Sequence, residues 1–421
     1  MKNSAAARVK QVPEGYLLVG VDPHKKTHVA VAMTHDYTTH SRLRFCNSRV
    51  GFEKALQWAA AELRKNGCRG VMFAIETASH YWRNFAYYLD EQGVPFRQMN
   101  QFTLKRRREG KDNNKRKNDF RDAEAAAQLL CSGEFSDGKL LYGVYAELRA
   151  AYSAYRRLVK ERSGLISLMK GLLDGLFPEF TQVFKDVCGN TALSVIEVCP
   201  VPGVIATMTE DEFIATIRST HQGRLMKKKL ADLHHLAGGS VYVKPGADAV
   251  ALELRFLVDK QRLLQQQIAY WEQILRKLID QTEESPYLLS IKGVNYISVA
   301  GWLAQTGPFR NYHSAKQMIK LAGSNPTESQ SAGKSSSHTP MSKKGRPLFR
   351  CCLWIGAIPV LRHNQEFRAW LKQRMERPAN ANPLHRREVI GAAINRLIRI
   401  GFALVRNRCF YNVGELARVA N

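Results

Sequence analysis

Four acidic residues in the first third of the sequence are spaced so that their carboxylates can converge. Asp22 closes the apolar run YLLVGVD, and Glu76 closes the later run VMFAIE. Asp119 and Asp122 lie three residues apart in KNDFRDAEAAAQLL, a spacing that puts both on one face of a helix. Taken singly, such residues are more often turn or helix-cap residues. Together they can bind two Mg²⁺ ions about 4 Å apart, which stabilise the attacking and leaving oxygens of a phosphodiester.

Imidazole and ammonium groups follow the first of these acids in the segment PHKKTH. His24, Lys25, Lys26 and His28 can contact a phosphate or form a polar hairpin connection. We favour the hairpin, because apolar runs of β type lie on both sides of the segment.

A longer basic segment, KRRREGKDNNKRK, precedes the acid pair. Residues 98–117 are polar and charged enough to predict a mobile loop. Cations beside a cleavage site would neutralise a nucleic-acid backbone, with an affinity that falls as salt rises. A solvated loop without a ligand is the alternative. The residues predicted to contact nucleic acid here are Lys105, Arg106, Arg107, Arg108, Lys115, Arg116 and Lys117.

The charge of the whole chain points to a polyanionic partner. Lysine and arginine total 63 against 37 acidic residues, a formal net charge of +26, and such a surface attracts nucleic acid. Acidic membranes, or only incidental contact with nucleic acid, are the alternatives. With 45% hydrophobic and 24% charged residues the composition is that of a folded protein. The 421 residues suggest about three domains.

Cysteine usage and hydropathy bear on the compartment. The eight cysteines form no CxxC pair and have no histidine spacing typical of zinc, so we expect buried thiols in a reducing environment. We expect no membrane segment, because no apolar run approaches the roughly 18 residues of a membrane span. These features predict a cytoplasmic or nucleoid-associated protein.

The elements around the acids follow an α/β pattern. YLLVGVD and VAVAM predict a β-hairpin, RLRFC a third strand, residues 51–65 a helix, and VMFAIE a buried strand. A helix is predicted to begin at Asp119. Strands that end in Asp22 and Glu76, with a helix that presents the other two acids, would form one site.

Most of the rest of the chain is predicted to be helical, while the pattern over residues 185–245 is less clear. Residues 146–176 and 250–278 carry apolar residues at helical spacing. Leu263, Leu264 and Ile268, beside three glutamines, suggest a coiled-coil surface for pairing subunits; packing within one chain is the alternative. After Pro286 the sequence predicts two short helices around a glycine turn, similar to a helix-hairpin-helix. A Gly/Ser/Lys-rich loop follows over residues 323–345.

The sequence resembles the DEDD transposases of the IS110/IS1111 insertion-sequence family. The resemblance lies in GVDPHKKTHVA, AIETASHYWRNFAYYL and KNDFRDAEAA, and in the later segments IKGVNYISVAGWLAQTGPF and LAGSNPTESQSAGKSSSHTPMSKKGRPLFRCCL. It implies an RNase H-type, RuvC-like fold for the amino-terminal domain. It also implies that Asp22, Glu76, Asp119 and Asp122 bind Mg²⁺, and that an RNA transcribed from the element guides the enzyme to DNA.

The resemblance further implies a serine that acts with the carboxylates. The matching position is Ser331, after Gln330, although Ala332 separates it from Gly333 where the family pattern has glycine directly. Neighbouring serines therefore stay open as candidates. A phosphoserine ester conserves bond energy, so strands can be rejoined without ATP. The residues predicted to stabilise phosphate charge are Lys334, Lys343, Lys344, Arg346 and Arg350.

These inferences combine into one expected organisation. Residues 1–145 are predicted to form the RuvC-like α/β domain, 146–285 a helical or coiled-coil oligomerisation region, and 286–421 a mostly α-helical domain with the serine loop. We expect a Mg²⁺-dependent transposase that acts as a dimer or tetramer on the element ends and the target DNA. Two alternatives stand beside it: a Holliday-junction nuclease that uses only water, and a non-catalytic nucleic-acid-binding relic.

Overall fold

The computed structural model describes residues 8–112, 118–136, 139–327, 330–331, 334–335, 340–377 and 388–412. The chain divides into two compact units, Met1–Leu140 and Leu141–Asn421. Each unit has hydrophobic cores of its own.

The first unit is built on a five-stranded mixed sheet in the order β3-β2-β1-β4-β5. Its strands are β1 (Tyr16–Asp22), β2 (Thr27–Met33), β3 (Thr39–Cys46), β4 (Gly70–Glu76) and β5 (Phe96–Met99). The first three strands pair antiparallel, while β4 runs parallel to β1 and β5 runs parallel to β4. The predicted hairpin and the α/β character of this part are confirmed. The central strands are fully buried because helices cover both faces of the sheet.

Four helices accompany the sheet: α1 (Arg49–Lys65), α2 (Trp82–Glu91), α3 (Gln101–Asp112) and α4 (Asp119–Cys131). Helices α1 and α2 pack Phe52 and Phe85 against one face of the sheet, where Val19 and Phe73 point. Helix α4 covers the opposite face with alanines and leucines, against Leu18 and neighbouring residues. Side chains along a strand alternate between faces, so Asp22 and Glu76 share the α4 face with Leu18 and Ala74.

Gly20 allows α4 to approach the sheet closely. A Cβ built at Gly20 would lie 1.8 Å from the carbonyl oxygen of Ala123 in α4. No side chain fits in that space, so the glycine sets the distance between β1 and the helix that carries Asp119 and Asp122.

The prediction of a mobile loop over residues 98–117 is wrong where the structure describes it, since Gln101–Asp112 forms α3. Local contacts explain the helix despite its charge. Asn100 accepts a hydrogen bond from the Phe102 amide, and Leu104 is buried. Arg106 lies over the Phe102 ring, a contact between helix neighbours four residues apart. The last five residues of the segment, including Lys115, Arg116 and Lys117, lie outside the described part of the chain.

The second unit is helical apart from one short β-ribbon in its described part. Two long helices, α5 (Gly143–Leu176) and α11 (Ala247–Ile279), pack antiparallel along each other. Between them in sequence lie α6 (Phe180–Val183), α7 (Asn190–Val198), α8 (Pro202–Ile205), α9 (Glu210–Thr220) and α10 (Lys227–Ala237). These shorter helices share one core with the second half of α5 and the first half of α11.

The other core of this unit joins the opposite ends of α5 and α11 to the carboxyl-terminal helices. These are α12 (Ser285–Leu289), α13 (Tyr296–Thr306), α14 (Ala315–Ala322), α15 (Pro347–His363), α16 (Gln365–Met375) and α17 (Val389–Asn407), with a 3₁₀ turn at Phe309–Asn311. The predicted pair of short helices around a glycine turn is α12 and α13. Gly293 in that turn packs against the backbone of Pro359 and Val360.

The predicted coiled-coil segment is divided between the interior and the surface of this unit. Leu264 and Ile268 are buried between α5 and α11, as packing within one chain requires, whereas Leu263 is 53% exposed. No helix in the described residues is both long enough and apolar enough to cross a membrane.

Candidate active site

The first two acids stand side by side at one edge of the sheet. Strands β1 and β4 are parallel neighbours whose register pairs Val21 with Ile75, and each strand ends one residue later, at Asp22 and at Glu76. Both carboxylates are largely buried. The carboxyl ends of adjacent parallel strands are a common place for a ligand site in α/β proteins.

The other two acids occupy the first turn of α4. Asn118 caps this helix by accepting a hydrogen bond from the Phe120 amide, so Asp119 is its first helical residue and not its cap. Acidic groups in a first turn are stabilised by the helix dipole. Asp119 is half-buried at the surface, whereas Asp122 is 2% exposed.

His24 connects the strand acid and the helix acid. Its Nε2 lies 3.7 Å from Oδ2 of Asp22 and 3.8 Å from Oδ1 of Asp119. One ligand atom from each of these three residues falls within 4.8 Å of the other two. His24 thus lies in the connection of the predicted hairpin between β1 and β2, and it also belongs to the acidic cluster. A histidine two residues after a strand-ending aspartate was the available signal.

His28 lies in the core beside the cluster and supports it. It is fully buried in β2, where its ring stacks on Phe52 at 5.9 Å and meets the edge of Phe45 at 5.3 Å. Its Nδ1 accepts a hydrogen bond from the His24 amide at 3.0 Å. Burial lowers the pKa of His28 from 6.5 to about 4, so the ring is neutral at neutral pH. His28 is thus a core residue that fixes the His24 backbone, which corrects its assignment to a polar hairpin.

Asp122 is paired with a cation from α3. Nη1 of Arg108 donates a hydrogen bond to Oδ1 of Asp122 at 2.6 Å, and the Arg108 side chain is 20% exposed. A charge-assisted contact of this length is a strong one. The contact joins Arg108, from the predicted nucleic-acid-binding segment, to Asp122, from the predicted tetrad.

Two arginines of the edge strand β3 flank the helix acid, and the sequence reasoning missed both. Nη1 of Arg44 lies 3.9 Å from Oδ2 of Asp119, and the guanidinium groups of Arg42 and Arg44 lie over the Phe120 ring at 5.5 and 4.9 Å. Alternation in RLRFC puts both side chains on one face of the strand. The cluster is therefore bordered by cations that can contact a phosphate.

The donor set suits a divalent cation. Asp22 and Asp119 offer the hard oxygens that Mg²⁺ or Mn²⁺ prefers, and His24 adds a nitrogen that favours transition metals. Glu76 and Asp122 are not members of the three-residue group. Glu76 stands beside Asp22 on the neighbouring strand, and Asp122 lies one helical turn beyond Asp119, so both border the group.

The other α3 residues predicted to contact nucleic acid differ in their exposure. Lys105 and Arg106 are exposed, while Arg107 is half-buried and lies 3.9 Å from Glu134. Lys105 is also 3.7 Å from Glu109, one turn along the helix.

The serine segment forms a small ribbon in the second unit. Strands β6 (Gln330–Ser331) and β7 (Lys334–Ser335) pair antiparallel; the side chains of Ser331 and Lys334 lie outside what is described. The base of the segment is closed by hydrogen bonds from Thr327 to Pro340 and from Ser342 to Asn325.

Glycines and arginines anchor that base to the helices. Gly323 and Gly345 approach so closely that a Cβ on either would meet the backbone of the other. Arg346 donates to the carbonyl of Gln305, and Arg350 donates to that of Ala322 at 2.8 Å. Both arginines thus hold the segment in place, whereas Lys343 and Lys344 are exposed.

Comparison with known proteins matches the region of the acids and the region of the serine segment to transposase families. A transposase family model for DEDD transposases of IS110 matches residues 19–178, which include all four acids. A second model, for the transposase IS116/IS110/IS902 family, matches residues 285–372, which include the serine segment. The chain is 25% identical over 319 residues to the transposase for insertion sequence element IS1111A of Coxiella burnetii (strain RSA 493 / Nine Mile phase I), covering 74% of this chain and 72% of that protein.

Proposed function

Because this chain belongs to the IS110 family of insertion-sequence transposases, we propose that it cuts and rejoins DNA with an RNase H-type, RuvC-like centre in its first unit. The observation that carries the proposal is the convergence of Asp22, His24 and Asp119 at the end of the central strand. The sheet order, with three antiparallel strands followed by two parallel ones, is compatible with that fold.

The proposed cofactor is Mg²⁺, two ions held by Asp22, Glu76, Asp119 and Asp122. Bound there, the ions would polarise the phosphodiester and stabilise charge on the attacking and leaving oxygens. The protein holds the four carboxylates in position. Strand ends fix Asp22 and Glu76, the first turn of α4 fixes Asp119 and Asp122, and Gly20 sets the spacing between the two elements. Arg44 and Arg108 lie where they can contact the strand being cut.

The proposed nucleophile for strand exchange is the Ser331 hydroxyl, with neighbouring serines as alternatives. Its oxygen attacks phosphorus, one phosphodiester bond breaks, and the leaving strand takes a proton at its freed oxygen. The enzyme then holds a phosphoserine ester. A hydroxyl of the second strand attacks the same phosphorus and restores the serine. The exposed Lys343 and Lys344 are suited to contact the phosphate during these steps.

The tetrad is tested by strand cleavage with the full chain. Asp22→Ala and Glu76→Ala should each abolish cutting while binding of DNA and its salt dependence persist. Asp90→Ala, which removes an exposed acid from α2, is the matched control and should cut normally. Normal cutting by either tetrad variant would refute the assignment, whereas a wild-type chain that binds DNA without cutting it would favour the non-catalytic relic.

The serine is tested by the covalent adduct. Ser331→Ala should lose strand exchange and the protein–DNA adduct, and peptide mass spectrometry should locate the phosphoserine in the wild type. Ser335→Ala is measured in parallel, because this neighbouring serine is an alternative nucleophile. A Ser331→Ala protein that still forms the adduct moves the role to a neighbouring serine. Cutting without any adduct in the wild type favours the junction nuclease that uses water.

The proposal extends to partners and location. A guide RNA transcribed from the element is proposed from the family resemblance, and the net charge of +26 suits RNA and DNA equally. We also propose a dimer or tetramer in the cytoplasm or on the nucleoid, with residues 1–145, 146–285 and 286–421 as catalytic, oligomerisation and serine-bearing regions. Co-purified RNA, sequenced and mapped to the flanks of the gene, tests the first point.

A further inference from the structure

An aromatic surface ringed by arginines lies on α16 and α17, away in sequence from the acids and from the serine segment. The Trp370 side chain is half-buried. The guanidinium carbon of Arg396 lies 4.6 Å from the centre of its ring, and that of Arg374 lies 5.5 Å away. Phe367, fully buried beneath, meets Trp370 at 6.5 Å in an edge arrangement and also supports Arg396. The Trp370 ring of α16 therefore contacts Phe367 and Arg374 of its own helix and Arg396 of α17.

The arginines around this ring crowd one another. Partial burial, and the neighbouring charges of Arg377 and Arg399, lower the pKa of Arg374. Nε of Arg396 is buried without a hydrogen-bond partner in the described part of the chain. Like charges held this close destabilise the surface until a counterion is present. A polyanion would relieve that repulsion.

Two acidic side chains near these arginines have other hydrogen-bond or ion-pair partners. Glu366 accepts a hydrogen bond from the Tyr411 hydroxyl at 2.7 Å, although its charge still acts on Arg396. Glu376 lies 3.7 Å from Lys372. Arg368 on α16 and Arg399 on α17 are exposed, as is Arg377 just beyond the end of α16. The surface thus keeps an excess of positive charge beside an aromatic ring.

We propose that this surface binds single-stranded nucleic acid, with Arg374 and Arg399 on the phosphates and Trp370 stacked on a base. Fixed aromatic rings with flanking cations are how proteins hold unpaired strands without reading sequence. This surface rests on the proposed function only for the expectation that nucleic acid is the ligand. It requires neither the acids nor the serine, so its test is a binding measurement.

The test uses the full chain and fluorescein-labelled oligonucleotides of one sequence, as single-stranded RNA, single-stranded DNA and duplex DNA, with anisotropy followed across salt concentrations. Arg374→Gln combined with Arg399→Gln should weaken single-strand binding. It should also lower the slope of log Kd against log salt by about 1.4, at about 0.7 per phosphate contact. Lys227→Gln with Lys228→Gln, which removes two exposed charges from α10, should leave the slope unchanged.

The stacking contact is tested separately. Trp370→Leu should weaken binding of single strands about tenfold, and Trp370→Phe should restore most of it, because every base presents a π face to an aromatic ring. Trp370→Leu should make no difference on an abasic strand of the same length. A larger effect of the paired variants on RNA or on DNA identifies the preferred strand.

Three results would overturn the inference: equal slope losses in the paired arginine and paired lysine variants, equal weakening of duplex and single strands, or equal weakening of abasic and normal strands by Trp370→Leu. These readouts are independent of cleavage. Failure here leaves the proposed transposase chemistry standing, and loss of cleavage in the tetrad variants has no bearing on this surface.

Discussion

Arg108 and Asp122 form an ion pair with Nη1 and Oδ1 2.6 Å apart, and Asp122 is almost fully buried. Asp122 is also a proposed metal ligand, so Arg108 and a bound metal ion would compete for the same carboxylate. The pair stabilises the carboxylate of Asp122 before any cation binds. Cation binding and movement of Arg108 toward the nucleic-acid backbone should therefore be linked.

The Arg108→Gln variant tests that linkage. It should lose about 3 kcal/mol of unfolding free energy without metal, because a buried charge is left without its partner. Mn²⁺ should raise its melting temperature more than it raises that of the wild type. Differential scanning fluorimetry with and without Mn²⁺ measures both effects. Arg107→Gln, which removes a more exposed pairing with Glu134, is the control; an equal Mn²⁺ response in all three proteins would contradict the linkage.

His24 should contribute to metal affinity and metal choice. Its Nε2 lies between Asp22 and Asp119, and an imidazole nitrogen favours transition metals over Mg²⁺. His24→Ala should weaken Mn²⁺ binding by roughly 10-fold while affecting Mg²⁺ binding less. Isothermal titration calorimetry of the full chain gives both affinities. Lys25→Ala, at the exposed next position, should bind both ions normally, and an unchanged Mn²⁺ affinity in His24→Ala would exclude the nitrogen ligand.

Gly20→Ala should separate the strand acid from the helix acids. The added methyl would meet the Ala123 carbonyl, so α4 must move, at a cost of about 1 to 3 kcal/mol. Strand cleavage should be lost even where the protein stays folded. Gly164→Ala, in open space on α5, should instead be neutral or stabilise by roughly 0.5 kcal/mol. Urea unfolding and a cleavage assay on both variants decide the matter; full activity in Gly20→Ala would refute the close-approach argument.

Burial of His28 should make the first unit sensitive to acid. Its pKa in the folded chain, about 4, lies below 6.5. The unfolded chain therefore binds one more proton between those values, and stability falls as the pH falls through that window. Linkage gives about 2 kcal/mol lost between pH 7 and pH 5. Urea midpoints at the two pH values should differ more for the wild type than for His28→Gln; equal differences would contradict the assignment.

The outer face of α11 should mediate self-association. Phe256, Leu263 and Tyr270 recur every seven residues on this helix and are 64%, 53% and 62% exposed, the spacing of a coiled-coil seam. Replacing all three by serine should convert the oligomer to a monomer in analytical ultracentrifugation. Val241→Ser with Val243→Ser, which removes exposed apolar groups outside α11, should keep the assembly. An unchanged sedimentation coefficient in the triple variant would place the interface elsewhere.

Sequence patterns predicted those parts of the fold that depend on local periodicity. The strands that end in Asp22 and Glu76, the helix that begins at Asp119, and the two long helices follow from apolar spacing, and all are present. The prediction of a loop for the basic segment is wrong because its helix depends, beyond its local contacts, on the burial of Leu104 and on an ion pair to α4. Such contacts between distant residues have no signature in composition.

The sequence predicts Asp22 and Asp119, which the structure brings together, but it does not predict the other members of the cluster. Carboxylates after strands follow a recognisable spacing, and His24 lies two residues after such an acid, whereas Arg44 joins the site because β3 and α4 meet in space. Likewise, nothing in the sequence distinguishes Trp370 from an ordinary core residue. Its position beside Arg374 and Arg396 becomes visible only when α16 and α17 are packed together.

The two long antiparallel helices run through both cores of the second unit. With 34 residues, α5 is a strut about 50 Å long at 1.5 Å per residue. The short helices α6 to α10 pack in the core at one end of this helix pair. The chain can therefore gain or lose residues there without disturbing the core at the other end. Length differences among related transposases should therefore concentrate between residues 177 and 246, while the lengths of the two long helices stay the same.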